Sequence, residues 1–134
     1  MTPAELEQAL MQFTGTEKWT RHGMARRLLL MTDGVMFLQE EAKAYWLIDA
    51  IASHLMTNAA LRREEFQAWT FTRHGEGLAK PNQPHLLIAT DGNDHELVRQ
   101  EIEFTDFQLP EIKLYVAWDG GSFNAFVAML PSEY

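Results

Sequence analysis

The hydrophobic pattern changes period near Glu64, and this change constrains the fold of the 134-residue chain more than any other feature. Before it, apolar residues recur at helical spacing; after it, they alternate or cluster in short runs between turn residues. Leu6, Ala9, Leu10 and Phe13 give a first helix one apolar face. Thr2 and Glu5 stand at capping-box spacing, Pro3 takes the first helical position, and Gly15 ends the run. Residues 43–56 are the clearest helix, with Ala44, Leu47, Ile48, Ile51, Ala52 and Leu55 as its stripe and Asn58 as a stop. Residues 35–41 read as a short helix leading into it. Residues 28–31 (Leu-Leu-Leu-Met) fit either a short buried strand or a helix end, and a strand is the preferred reading.

The second half reads as strands over residues 66–73, 86–90, 98–105, 112–118 and 123–130. Asp91-Gly92-Asn93-Asp94 and Asp119-Gly120-Gly121 mark turns, and residues 75–84 a loop. In 98–105, Val98, Gln100, Ile102 and Phe104 alternate with Arg99, Glu101, Glu103 and Thr105, predicting a half-buried strand with an acidic outer face. Helices followed by strands predict an α+β fold: two or three N-terminal helices on one face of a four- or five-stranded antiparallel meander. Residues 1–134 read as a single globular domain, 46% hydrophobic.

The net charge is −8, and its distribution is uneven. Up to Arg63, seven acidic residues balance seven basic ones; from Glu64 onward, twelve acidic residues face Arg73, Lys80, Arg99 and Lys113. The acidic half argues against direct nucleic-acid binding, which needs cations to neutralise phosphates. It favours a protein partner with a basic surface. No apolar run approaches the roughly 18 residues of a membrane helix. The N-terminus lacks a signal-peptide pattern, and there is no cysteine, so the expectation is cytoplasmic residence without membrane association.

No cofactor is expected. The five histidines are scattered without metal-ligand spacing, so no metal site is expected either. The glycine pairs lack the lysine and hydroxyl residue of a phosphate loop, and turn chemistry explains them. Ser53, Ser122 and Ser132 lie outside any nucleophile elbow. The best polar constellation is Thr14, Thr16, Glu17, Arg21, His22 and Asp33. As a catalytic set, His22 would be general base with Glu17 or Asp33 orienting it. The structural alternative has Thr14 or Thr16 capping a turn, Trp19 packing on the core and Arg21 pairing with Glu17. Asp106, after Thr105 at a strand end, reads as a turn residue. A protein-binding surface is expected where an aromatic set faces outward beside carboxylates: Trp69, Phe71 and Tyr115 with Glu101 and Glu103.

The C-terminal Leu130-Pro131-Ser132-Glu133-Tyr134 resembles the ending of a family of unknown function made of short phage, plasmid and integrated-element proteins. Gln12-Phe13-Thr14-Gly15-Thr16-Glu17, Thr32-Asp33-Gly34-Val35, Tyr45-Trp46-Leu47-Ile48-Asp49 and Thr105-Asp106-Phe107 carry the same resemblance, which spans nearly the whole chain. It implies a habitat and no chemistry. Two stretches depart from the pattern: residues 23–27 are longer and more basic, and residues 123–128 are extended. As insertions, they would be where this member acquired its own partner.

The expected function is therefore a non-catalytic mobile-element protein that binds and modulates a host or phage complex. One version inhibits a nucleic-acid-handling defence system by covering a basic surface with the acidic half. The alternative is a small hydrolase or transferase using Glu17, His22 and Asp33. A third reading is a homo-oligomer pairing through an exposed strand edge. The tail reads as a structural clasp, with Pro131 ending the last strand and Tyr134 docking on the domain.

Overall fold

The computed structural model describes residues 1–73, 84–103 and 105–134. The expected loop over 75–84 and the position of Phe104 lie almost wholly outside them. Among the described residues there are three α-helices and seven strands. Helix α1 (Pro3–Met11) has its capping box in place: Thr2 Oγ1 accepts from the Glu5 N–H, and Glu5 Oε1 from the Thr2 N–H, both at 3.1 Å. Leu6 and Leu10 are its buried face. Helix α2 (Asp33–Glu41) starts two residues before the expected 35–41 because Thr32 is its N-cap. A left-handed Lys43, at φ 53°, separates it from α3 (Tyr45–Thr57), whose buried stripe is Leu47, Ile48, Ile51, Ala52 and Leu55.

The strands are β1 (Thr20–Arg21), β2 (Leu29–Met31), β3 (Phe66–Thr72), β4 (His85–Thr90), β5 (Glu96–Ile102), β6 (Glu111–Asp119) and β7 (Ala125–Met129). They form one sheet in the order β1-β2-β7-β6-β3-β4-β5. The α+β class and five second-half strands agree with the pattern, although β5 ends at Ile102 and not at 105, and β7 begins at Ala125 because Phe123 and Asn124 belong to the turn; the sheet has seven strands and is mixed, not four or five in a meander. β2 runs parallel to β7 and is buried at all three positions. β6 returns to the free side of β3, leaving β5 as an edge.

Opposed residues in a ladder share a face, so the register assigns each side chain. Trp69, Phe71, Leu87, Leu114, Val116, Phe126 and Ala128 join the buried stripes of all three helices in one core. The opposite face carries Phe66, Ala68, Tyr115 and Ala117, with a smaller cluster of Leu30, Ala125 and Val127 near β2 and β7. Among the described residues, no helix is long and apolar enough to cross a membrane.

Candidate functional site

Three of the quoted motifs meet at one place, the N-terminus of α2. A helix start leaves its first N–H groups without intrahelical acceptors. Here each finds a side chain from a different segment. The Asp33 N–H donates to Thr16 Oγ1 (2.8 Å), Gly34 N–H to Glu133 Oε2 (3.1 Å) and Val35 N–H to Thr32 Oγ1 (3.4 Å). Glu133 also accepts the Thr32 hydroxyl (2.6 Å) and the Leu130 N–H (2.9 Å) on Oε1. Its carboxylate, like that of Asp33 in the first turn, suits the positive end of the helix dipole. Tyr134 stays 75% exposed but sets its ring edge-on to Phe66 and Tyr115, each 5.4 Å away. The tail is a clasp, and Glu133 is its centre.

This network also explains Asp33 and Glu17. Asp33 Oδ2 accepts the Glu17 backbone N–H at 2.9 Å, and this bond, helped by Thr16 and Lys18, holds its carboxyl below the ordinary carboxylate value. The unfolded chain therefore takes up the proton first as pH falls, so this contribution to stability is present at neutral pH and lost in acid. We expect Asp33→Asn to melt below the wild type at pH 7, with the gap closing as pH falls through the acid range, where the native carboxyl is protonated as well. A gap that stays constant through that range in thermal melts would rule out the carboxylate as the source.

His22 goes elsewhere. It is buried between β1 and β2, and its Nδ1 accepts two backbone N–H groups, from Met24 (3.1 Å) and Ala25 (3.2 Å). Nδ1 is thus the unprotonated nitrogen, and Nε2–H donates to Asp49 Oδ1 on α3 at 2.7 Å. With both ring nitrogens engaged, the imidazole holds no free nitrogen for a substrate proton. Its partner is Asp49, not the expected Glu17 or Asp33. Arg21 pairs with the Arg26 carbonyl (2.8 Å) instead of Glu17, and Trp19 is 42% exposed, its ring tilted against that of Phe123 instead of packed on the core. Near Asp106 the turn bond is made by Thr105, whose hydroxyl accepts the Phe107 N–H (3.1 Å).

The expected binding surface divides between the two faces. Trp69 and Phe71 are each 1% exposed and face the helices, so they are core residues, a correction to the outward placement. Alternation shows which residues share a face; it does not show which face the helices cover. Tyr115 lies on the opposite face, half-buried beside Phe66. Glu101 is exposed on the β5 edge, opposite Leu86 of β4, and Glu103 is exposed just beyond the strand. Among the described residues, no group of three His, Asp or Glu side chains could hold a metal ion.

The two departing stretches meet in space. Arg26 and Arg27 from the first, and Phe123 and Asn124 from the second, line one cleft with Arg21, about 640 Å³ in volume. Both segments were visible in the sequence, but their meeting depends on the parallel pairing of β2 with β7.

No curated protein and no solved structure matches the chain. A family model covers residues 4–134, nearly all of it, and on that match the chain belongs to DUF6876, a family of unknown function.

Proposed function

We propose that this protein is a non-catalytic binding protein of a mobile element, which presents the acidic β5 edge to a basic surface on a host or phage protein complex. One observation carries the reading. Among the described residues β5 is one of the two edge strands of the sheet, and exposed carboxylates occupy it: Glu96 and Glu101 on the strand, Asp94 before it and Glu103 after it. The strand's cation, Arg99, is committed to Glu96 through three contacts of 2.8–3.2 Å, which leaves Glu101 and Glu103 to dominate the local field. Charges on an edge also discourage strand-to-strand pairing, which disfavours self-association along β5. The hydrolase or transferase reading loses its base, because His22 has both nitrogens engaged in holding the chain.

Reversing Glu101 and Glu103 to lysine tests it. Both side chains are exposed, so folding should be unaffected, while association with the basic partner captured by the wild type should slow about tenfold at low salt. The difference should shrink as salt is added, since surface charges are screened. Capture that survives the reversal undiminished would remove the acidic edge from the interface.

A further inference from the structure

At the other end of the sheet, beside β1 and β2, the charge has the opposite sign. We propose that the cleft lined by Arg21, Arg26, Arg27, Phe123 and Asn124 binds a nucleotide unit, free or within a single strand, with phosphate on the arginines and base against the Trp19–Phe123 pair.

Three of the chain's eleven cations gather here, and no carboxylate is among the lining residues. The side chains of Arg26 and Arg27 make no hydrogen bond or ion pair with other described residues, so their donors are open to a ligand. Guanidinium groups match phosphate oxygens through paired N–H donors.

The cleft is also built in advance. The His22 ring holds the Met24 and Ala25 N–H groups, Asp49 holds the ring, and the Ala25 carbonyl accepts from both Leu28 and Leu29 (3.0 and 2.9 Å). Arg21 Nη1 closes the loop on the Arg26 carbonyl. A loop fixed this way loses little further freedom when a ligand binds. The buried histidine thus has a positioning role: it holds the segment that carries two of the three arginines.

The aromatic pair favours a nucleotide over a bare anion. Trp19 stays 42% exposed while its ring lies 5.5 Å from that of Phe123, which lines the cleft. An accessible indole against a ring that lines the arginine cleft is a stacking platform for a base. The volume, about 640 Å³, suits one or two nucleotides and not a long strand. The net charge of −8 opposes long-range attraction of an anion, so binding is expected to be short-ranged and strongly salt-dependent. This site is independent of the β5 edge, and the variants that test the two do not overlap.

The test is fluorescence polarisation with a labelled oligothymidylate of about eight nucleotides, with titrations of a mononucleotide and inorganic phosphate, in low salt. With three arginines on phosphates, the log–log salt slope should be about −2 for a single strand. Arg26→Gln with Arg27→Gln should weaken octamer and mononucleotide binding at least tenfold without changing the melting temperature, since neither side chain has a partner among the described residues to lose. Trp19→Ala should weaken both about tenfold and leave phosphate binding unchanged. An octamer preferred over the mononucleotide assigns the site to a strand, and equal affinity assigns it to a free nucleotide; either supports the proposal. No binding at about 1 mM, binding indifferent to the double substitution, or phosphate bound as tightly as nucleotide would overturn it.

Discussion

Trp69→Ala should lower the melting temperature by about 10–20 °C. Trp69 is 1% exposed, its ring faces His54 of α3 at 5.7 Å, and its Nε1–H donates to Gln67 Oε1 at 3.0 Å. Gln67 is fully buried and spends both Nε2 donors on the carbonyls of Leu61 and Glu64 (3.0 and 3.1 Å), which fixes the turn before β3. Truncation removes a large buried ring, worth roughly 3–5 kcal/mol, and leaves a buried amide oxygen without its donor. At a few degrees per kcal/mol for a chain of this size, that gives the stated fall. It is a large share of a total stability of about 5–15 kcal/mol, so the variant should fold but unfold early. Trp69→Phe, which keeps most of the volume, should lose clearly less. A melting curve by circular dichroism decides between core and surface. If Trp69→Ala melted within about 2 °C of the wild type, the ring would not be the packing element that its burial indicates.

Local pattern carried the elements whose causes are local. The stripe of α3, the capping box of α1 and the alternation of β5 are all set by residues a few positions apart; the first two are where their spacing places them, and the alternation holds from Val98 to Ile102, where β5 ends short of the expected residue 105. The strand that escapes the reading altogether is β1, of two residues, too short to show any period; β2 is the strand preferred for residues 28–31, but three residues do not show which neighbour they pair with. The parallel pairing of β2 with β7 joins residues nearly a hundred positions apart, and no local signal encodes it. The same distance hid the sites. Closeness in sequence groups His22 with Glu17 and Asp33, yet its partner Asp49 lies 27 residues on, across α2. The basic character of Arg26 and Arg27 was legible, but their neighbours Phe123 and Asn124 were not. The tail shows the limit best. Pro131 and Tyr134 invite attention by their shape, whereas Glu133 looks like an ordinary surface carboxylate until Thr32, 101 residues earlier, is set against it.

Removing residues 132–134 should lower the melting temperature by roughly 6–15 °C, and Glu133 should account for most of the loss. Its carboxylate accepts from Thr32 Oγ1, the Gly34 N–H and the Leu130 N–H, and all three partners donate. Hydrogen bonds to a charged group contribute roughly 1.5–3 kcal/mol each when buried. These are part-buried and water can replace some of them, so a total of about 2–4 kcal/mol is the expectation. Glu133→Gln should recover only part of this: an amide offers one acceptor oxygen, and its nitrogen would present a donor to another donor. Tyr134→Ala should cost less, since the ring is largely exposed. Gly34 supplies the independent check. A Cβ there would stand 2.5 Å from Glu133 Oε1 and 2.6 Å from Leu130 Cδ1, so Gly34→Ala must displace the clasp even though alanine is the better helix former. In the full chain the substitution should therefore destabilise. In the truncated chain its cost should fall by at least about 1 kcal/mol, leaving only the contact with Leu130, because residues in contact couple non-additively. Equal costs in the two backgrounds would mean that the glycine does not make room for the tail.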